Sequence, residues 1–281
     1  MHNKPQTSPR SINESAPQIL WVYVYPPGSQ SVRYTLTSAD DPLKTMPVKV
    51  KYWVIIPAAG AGNRMEAETP KQYLKINGHF ILEHTISRFI QLANIEGVIV
   101  VISRDDRFWN DLELSRHKKI LTTTGGKERY HSVLNGLLRL TGTAGDRDWA
   151  LVHDAARPCV RVDDIKKLIK ELSGHHTGGL LGIPVRDTMK RTNTNNEILE
   201  TISRNGLWHA LTPQMFRVGD LRQAIEKSIT ENRDITDEAQ AMELAGFKPK
   251  FIPGHPDNIK ITHMSDLPLA ELFLEQQEIL L

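Results

Sequence analysis

An apolar run, a glycine-bearing loop and two isolated cations follow one another between Trp53 and Leu74, in the segment WVIIPAAGAGNRMEAETPKQYL. Glycine allows a backbone to approach a ligand closely and to turn its N–H groups toward it. Arg64 and Lys71 follow the loop and supply the positive charge that a polyphosphate requires. This order of features predicts a phosphate-binding loop.

The two common phosphate-loop patterns do not fit this segment. Residues 60–62 (Gly-Ala-Gly) open like a dinucleotide-binding sequence, but Met65 stands where the third glycine should be. The other common loop ends in Gly-Lys followed by Ser or Thr, and this segment has no such ending. A single Lys or Arg is usually a solvated surface residue. The position of Arg64 and Lys71 behind a strand and a glycine loop favours ligand binding instead.

Three further polar groups stand at the ends of predicted strands. They are Gly125, Gly126, Arg129 and Ser132; Asp154 and Arg157; and Asp257, Asn258 and Lys260. Each group has an ordinary structural interpretation, such as a helix cap, an ion pair or a solvent-facing lysine. At the carboxyl end of a parallel sheet, however, such residues also bind ligands. No nucleophile motif or histidine metal spacing accompanies them. A site that offers basic side chains without a nucleophile favours phosphoryl or nucleotidyl transfer. In these reactions, positioning of the substrates and neutralisation of their charge carry most of the catalysis.

Short apolar runs alternate with helical patterns from Val48 onward, which predicts an α/β fold with a largely parallel sheet. The predicted strands include 54–56, 98–102, 150–152, 179–185 and a last short strand at 258–262. The predicted helices include 81–90, 132–140, 163–172, one that starts at Thr236 and one that starts at Ser265. Residues 122–126 are predicted as a turn. Because ligands bind at the carboxyl ends of such strands, the glycine loop after Ile56, the turn at Gly125 and Gly126 and the turn at 154–157 should converge.

The stretch from about 185 to 215 breaks this alternation. Two polar, extended segments at 186–191 and 198–204 flank the turn-forming residues 192–196, which predicts a β-hairpin. An isolated two-stranded ribbon is only marginally stable in water. We therefore expect an arm that packs on another subunit, and an ordinary surface hairpin is an equal alternative.

Residues 1–47 differ in composition from the rest, because Pro, Ser, Asn, Gln and Thr dominate there. We expect a disordered or loosely attached extension, followed by one domain over 48–281. The extension lacks the pattern of a secretory signal. The composition of this extension matches a transit peptide only weakly. Translation that begins at Met46 explains the extension at least as well. The cytoplasm is therefore favoured and a plastid remains open.

The overall charge gives no electrostatic reason to expect a nucleic acid or membrane partner. The chain of 281 residues has 35 Lys and Arg against 33 Asp and Glu, a net charge of +2. No apolar run approaches the length of a membrane span. The single cysteine, Cys159, excludes an internal disulfide and a cysteine-built zinc site, which is typical of a reducing compartment.

Seven motif groups occur in order along the chain. They are PAAGAGNRM with PKQYL, GGKERYHSV, LVHDAARP, PVRDTMK, RNGLWHALTPQMF, ITDEA and DNIKIT. In this order and at these separations they resemble the 2-C-methyl-D-erythritol 4-phosphate cytidylyltransferases of the non-mevalonate isoprenoid pathway, from about Val50 to the C-terminus. The resemblance implies a Rossmann-like nucleotidyltransferase domain and a homodimer joined by interlocking β-arms. It also implies transfer of CMP from CTP to methylerythritol phosphate, with release of pyrophosphate.

The resemblance also implies roles for individual residues. Arg64, Lys71 and Lys260 would stabilise the charge that builds on the α-phosphate. Ala58, Ala59, Gly60, Gly62, Gly126 and Ser132 would contact the nucleotide. Asp154, Arg157, Thr188, Arg204, Thr212 and Asp257 would bind the methylerythritol phosphate, with Thr188 reaching the partner's site. Mg²⁺ would be held by the triphosphate and water rather than by protein ligands. The nucleophile is already an anionic phosphate oxygen, so no general base is required.

Three positions, Lys127, Tyr130 and His131, vary among proteins that share these motifs, which leaves their contacts to the nucleotide open. Two other functions compete with the implied one. A cytidylyltransferase for a pentitol phosphate such as ribitol 5-phosphate would keep the CTP loop and differ in the residues that bind the second substrate. A regulatory protein that binds a nucleotide without catalysis would not need Arg64, Lys71 and Lys260 together.

Overall fold

The structure, a computed structural model, describes residues 50–60 and 69–279. Gly62, Arg64 and the predicted extension at 1–47 lie outside the described residues. The strands are β1 (Tyr52–Pro57), β2 (Lys75–Ile76), β3 (His79–Phe80), β4 (Ile95–Ile102), β5 (Ile120–Thr124), β6 (Trp149–Val152), β7 (Gly178–Pro184), β8 (Met189–Thr192), β9 (Ile198–Ile202), β10 (Trp208–Arg217) and β11 (Lys250–Pro253). The helices are α1 (Ile81–Ile90), α2 (Arg129–Arg139), α3 (Val162–Leu172), α4 (Val218–Thr230), α5 (Glu238–Leu244) and α6 (Asp266–Ile279).

Seven of these strands form the central sheet, in the order β11-β7-β10-β6-β1-β4-β5. β1 pairs in parallel with β4 and β6, β4 with β5, and β7 with β11. β10 is antiparallel to both β6 and β7. The predicted α/β fold with a mostly parallel sheet is therefore confirmed.

The sequence of β1 explains how the sheet is covered on both faces. Val54, Ile55 and Ile56 are fully buried, and successive side chains of a strand point to opposite faces. Val54 and Ile56 pack with apolar residues of α1 and α3, whereas Ile55 packs with those of α2, α4 and α5. Gly136 permits this packing, because a Cβ there would lie 2.6 Å from Cγ2 of Ile55.

Three local predictions are corrected by the structure. Residues 122–126 are not all turn, because β5 continues to Thr124. The segment 258–262 is not a strand, because its backbone bonds to separate loop residues, such as Ile261 N to Ala156 O at 2.9 Å, instead of to one neighbouring strand. The helix expected from Thr236 begins at Glu238, since the side chain of Asp237 accepts a bond from Gln240 N and caps it.

The predicted hairpin is confirmed as the antiparallel pair β8 and β9. Its turn is closed by the bond from Asn193 N to Glu197 O at 3.0 Å, and Asn196 adopts a φ of 63°, a conformation that asparagine tolerates. Attachment of this hairpin to another subunit remains a prediction.

Candidate active site

A cavity of about 560 Å³ lies at the carboxyl ends of β1, β5 and β6. The residues that line it are Pro57, Ala58, Ala59, Gly60, Lys71, Gln72, Gly126, Lys127, Glu128, Arg129, Ser132, Asp154, Ala155, Ala156, Lys260 and Thr262. The expected convergence is thus confirmed, because the loop after β1, the turn after β5 and the turn that contains Asp154 all contribute to this wall. Four basic and two acidic side chains contribute to the wall, so the cavity suits an anionic ligand.

The loop after β1 is held in shape by the buried side chain of Gln72. Its amide nitrogen donates to Ala58 O at 2.7 Å and to Gly60 O at 3.1 Å. Lys71 precedes it, and its Nζ donates to Ile261 O at 3.1 Å. One short turn therefore fixes the loop and also supplies a cation to the cavity. The sequence prediction missed Gln72, although it lies within the motif PKQYL.

The turn after β5 packs directly against the loop after β1. A Cβ on Gly125 would lie 2.3 Å from Cβ of Ala59, so only glycine fits at this contact. Gly126 N donates to Ser132 Oγ at 3.1 Å. Ser132, near the start of α2, thereby holds the turn that forms this wall of the cavity.

Asp154 is largely buried at the cavity wall and accepts from three cations. Its Oδ1 lies 3.0 Å from Arg129 Nε, and its Oδ2 lies 3.3 Å from Arg157 Nε and 3.0 Å from Lys260 Nζ. Burial would raise the pKa of Asp154, but the positive charges of Arg129, Lys260 and Arg157 outweigh it and hold the pKa well below its usual range. The carboxylate is therefore charged, and it collects cations from three separate elements.

Arg129 connects this cluster to α5 through a second, buried carboxylate. Its Nη1 lies 2.6 Å from Glu238 Oε1 and its Nη2 lies 3.2 Å from Oε2, which is a bidentate pair. Burial raises the pKa of Glu238, and the charge of Arg129 opposes that rise. The sequence prediction did not assign Glu238 a role, although the motif ITDEA contains it.

Thr212 lies behind Asp154 and does not line the cavity. Its Oγ1 is 3.2 Å from Asp154 N and 2.9 Å from Nδ1 of the fully buried His153. Arg157 also lies outside the cavity wall, and its Nη1 donates to Asn258 O at 2.6 Å. Thr212, His153 and Arg157 therefore form hydrogen bonds on the side of Asp154 that faces away from the cavity.

Three other predicted substrate contacts lie outside the cavity wall. The carboxylate of Asp257 accepts from Arg161 Nε at 2.7 Å and from Gln277 Nε2 at 3.1 Å. Thr188 is exposed just before β8, and Arg204, also exposed, donates to the backbone oxygen of Arg186. Their contacts to a substrate remain predictions.

No group of three or more His, Cys, Asp or Glu within residues 50–60 and 69–279 could hold a metal ion. Asp154, one of the two carboxylates that line the cavity, pairs with three cations. In the part of the chain that the structure describes, no helix has the length and apolar character required to cross a membrane.

The family model of 2-C-methyl-D-erythritol 4-phosphate cytidylyltransferase matches residues 52–276. The enzyme of that name from Hahella chejuensis is 48% identical over 226 residues, which cover 80% of this chain and 94% of that protein. The one from Alteromonas mediterranea is 52% identical over 225 residues, or 79% and 92% of the two chains. The crystal structure of the one from Francisella tularensis shares 36% identity and a TM-score of 0.70, over 79% and 99% of the two chains. This chain belongs to the family of 2-C-methyl-D-erythritol 4-phosphate cytidylyltransferases.

Proposed function

We propose that this chain transfers CMP from CTP to 2-C-methyl-D-erythritol 4-phosphate, giving 4-diphosphocytidyl-2-C-methyl-D-erythritol and pyrophosphate in isoprenoid precursor biosynthesis. The observation that carries the proposal is the cationic cavity at the carboxyl edge of the sheet, in a member of this family. A phosphate oxygen of the second substrate attacks the α-phosphorus of CTP, and the bond to the β-phosphate breaks. Because the attacking oxygen is already anionic, no proton has to be removed.

The charge that develops in this step requires cations close to the α-phosphate. Lys71 and Lys260 both line the cavity, and we assign them to this role together with Arg64, which lies outside the described residues. Preorganised charges of this kind lower the barrier because they need no rearrangement during the reaction. Lys260 is held at Asp154 before the substrate arrives, which supports a fixed position for its charge.

The nucleotide side of the cavity is built mainly from backbone. We assign residues 58–60, Gly126 and Ser132 to CTP, with Gly62 outside the described residues. The small side chains leave room for a base and ribose beside the cations. Asp154, which lines the cavity, and Arg157, which pairs with it, are assigned to the methylerythritol phosphate.

Mg²⁺ is proposed as the cofactor, held by the oxygens of the triphosphate and by water. The pairing of Asp154 with three cations supports an ion held mainly by the substrate, because this carboxylate at the cavity wall is already engaged. When bound, the ion would neutralise part of the triphosphate charge. Removal of Mg²⁺ with a chelator should abolish pyrophosphate release, and excess Mg²⁺ should restore it.

A homodimer joined by the β8–β9 hairpin is also proposed. The hairpin exposes apolar side chains that a partner could cover: Ile198 is 64% exposed, Leu199 61% and Met189 37%. In such a dimer Thr188, which immediately precedes β8, would reach the substrate site of the partner, and Arg204 is assigned to the methylerythritol phosphate.

The cytoplasm is the proposed location. The support is the high identity to the enzymes of Hahella chejuensis and Alteromonas mediterranea over most of the chain. Fractionation of the source cells, with antibody detection of this chain, tests it.

A comparison of two substrates tests the proposed reaction. Purified protein with CTP and Mg²⁺ should release pyrophosphate rapidly with methylerythritol phosphate and far more slowly with ribitol 5-phosphate. Equal or reversed rates would favour the pentitol phosphate enzyme. Binding of CTP without pyrophosphate release from either substrate would favour a regulatory protein.

A further inference from the structure

The loop after β1 adjoins two cavities and is bonded to one buried glutamine side chain. Beside the cavity of the candidate active site lies a second, smaller one of about 270 Å³, and Ala59, Gly60 and Gln72 line both. A Cβ added to Gly60 would meet no atom of the described residues within 4 Å. Packing at Gly60 therefore does not fix the backbone there, and hydrogen bonds have to do so.

Gln72 makes two hydrogen bonds to this loop, and their direction is fixed by chemistry. Its amide nitrogen lies 2.7 Å from Ala58 O and 3.1 Å from Gly60 O. A carbonyl oxygen can only accept, so the NH₂ end of the amide faces the loop and both of its hydrogens are committed. The next residue, Tyr73, donates its hydroxyl to Asp106 Oδ2 at 2.7 Å. The turn that carries Gln72 is thus also tied to the segment after β4.

The bond to Ala58 also sets the direction of a backbone N–H group. The peptide between Ala58 and Ala59 is trans, and in a trans unit the N–H points opposite to the C=O. Because Ala58 C=O points to Gln72, the N–H of Ala59 points away from it. Among the described residues Ala59 N–H has no hydrogen-bond partner, whereas Ala58 N–H donates to Val101 O at 2.8 Å. Ala59 lines the cavity, so its N–H is available to a ligand oxygen.

We propose that Gln72 is a positioning residue for CTP, which holds the carbonyl groups of the loop and thereby turns the N–H of Ala59 toward an oxygen of the nucleotide. This inference rests on the proposed function. A bound ligand displaces water from the loop, and an N–H group left unpaired there is costly. The loop therefore favours a ligand that supplies an acceptor, and the phosphates and the cytosine carbonyl of CTP both do so. Gln72 acts through the loop, whereas its neighbour Lys71 supplies charge to the reaction.

Hydrogen exchange in the unmodified protein tests both parts of the inference. In the free protein at pH 7, NMR spectra should show slow exchange for the side-chain N–H groups of Gln72 and the backbone N–H of Ala58, and rapid exchange for the N–H of Ala59. Saturation with CTP and Mg²⁺, without a second substrate, should slow exchange at Ala59 by at least about tenfold and leave Ala58 unchanged.

Two fragments of the nucleotide locate the contact. Protection of Ala59 by inorganic triphosphate alone would assign its partner to the phosphates, and protection by cytidine alone would assign it to the nucleoside. Rapid exchange at Ala59 in the presence of saturating CTP would overturn the inference. Free exchange of the Gln72 side chain in the unliganded protein would overturn it as well.

Gln72→Glu provides a functional test that a purely structural role would not pass. Glutamate has nearly the same size, but its carboxylate would face two carbonyl oxygens with no hydrogen to donate. We expect Kd for CTP to rise roughly 10- to 100-fold at pH 8, while KM for methylerythritol phosphate changes less than about threefold. Protonation restores one donated hydrogen, so kcat/KM relative to the wild type should rise as the pH falls from 8 to 6. A ratio that stays constant or falls would contradict the inference.

Gln91→Glu is the matched control. Gln91 is exposed just after α1, and its amide nitrogen also donates to a carbonyl, Ser87 O, at 3.0 Å. This variant should keep the wild-type Kd for CTP and a constant ratio over the same pH range. The same pH dependence in both variants would show that the effect does not come from the loop, and would overturn the inference.

The two proposals fail separately. If Gln72→Glu does not fold, exchange at Gln72 and Ala59 in the wild-type protein decides the inference. Protection of Ala59 by CTP without release of pyrophosphate would remove the proposed function and keep the role of Gln72. Release of pyrophosphate without protection of Ala59 would keep the function and remove the inference.

Discussion

The ion pairs around Asp154 and those on the β8–β9 hairpin are alike in chemistry and differ in burial. The side chains of Asp154 and Arg157 are 10% and 11% exposed, whereas those of Arg191 and Glu200 on the hairpin are 61% and 54% exposed. Water screens the hairpin pair, and such exposed pairs contribute at most about 1 kcal/mol. The Asp154 cluster is shielded, so loss of one charge leaves its partners uncompensated. The geometry of the Asp154 cluster therefore depends on shielded contacts within one chain, whereas the charged pair on the hairpin contributes little to stability.

The largest effect is expected for Asp154→Asn. Arg129, Arg157 and Lys260 would lose the carboxylate that gathers them. The free energy of unfolding should fall by about 3 kcal/mol, and pyrophosphate release should fall by at least about 100-fold. Urea unfolding and the pyrophosphate assay measure the two quantities. Asp163→Asn is the control, because Asp163 forms an exposed pair with Lys166. If Asp154→Asn lowered the free energy of unfolding by less than about 1 kcal/mol, the buried pairs would contribute no more to stability than exposed ones do.

Leu199→Asp tests whether the exposed hairpin is covered by a partner. A charge in an apolar interface should weaken the dimer by about 2 kcal/mol, without changing the fold of the monomer. Light scattering at decreasing protein concentration should show the dimer dissociating toward the chain mass of 31.8 kDa. Leu272→Asp on α6, where Leu272 is 47% exposed, should leave the association unchanged. A wild-type protein that is monomeric and fully active would remove this account of the hairpin.

The buried cluster should also respond to pH through His153. Its pKa is lowered by burial to about 4, so the unfolded chain binds a proton at higher pH than the folded protein does. Stability from this group is present above about pH 6.5 and is lost as the pH falls toward 4, by about 2 kcal/mol between pH 7 and 5. His153→Gln should lack this part of the loss in urea unfolding at the two pH values. His176→Gln, at an exposed position, should keep the wild-type dependence. Equal slopes in the wild type and His153→Gln would show that this ring is not held neutral.

The smallest effect is expected for Glu200→Gln, which breaks the hairpin pair with Arg191. The free energy of unfolding should change by less than about 0.5 kcal/mol, because both side chains are well solvated. Urea unfolding of the variant beside Asp154→Asn compares the exposed pair with the buried one directly. A loss as large as that of Asp154→Asn would show that exposure does not separate the two regions.

Local patterns were sufficient to predict much of this fold. The apolar run at Val54–Ile56 and the helical face of α1 depend on neighbouring residues alone, and both were predicted correctly. The strand β10 was missed, since Pro213 and Gln214 interrupt its apolar pattern and its pairing with β6 and β7 depends on distant residues. The strand expected at 258–262 was wrong for the same reason, because a strand needs a partner that the local sequence does not show.

The sequence predicted which loops form the site but not the ion pairs within it. The convergence of the loop after β1, the turn after β5 and Asp154 follows from the rule for parallel sheets. The partners of Asp154 do not, because Arg129 lies 25 positions before it in the chain and the two side chains meet only in the folded protein. Buried residues that hold the site in shape, such as His153 and Gln72, have no sequence pattern of their own. A single hydrogen-bonding residue in the sequence does not show whether it lies in the core or beside a functional site.

The most direct test of the account is a comparison of Lys71→Ala with Lys75→Ala. Lys71 lines the cavity, whereas Lys75 is exposed on β2, with its Nζ 4.8 Å from the ring centroid of Phe80. Pyrophosphate release from CTP and methylerythritol phosphate gives kcat, and calorimetry gives Kd for CTP. The account predicts that Lys71→Ala lowers kcat by at least about 100-fold and raises Kd less than about tenfold, because its charge matters most in the transition state. Lys75→Ala should change neither value. An equal loss of CTP binding and turnover in Lys71→Ala, or an equal loss in both variants, would contradict the account.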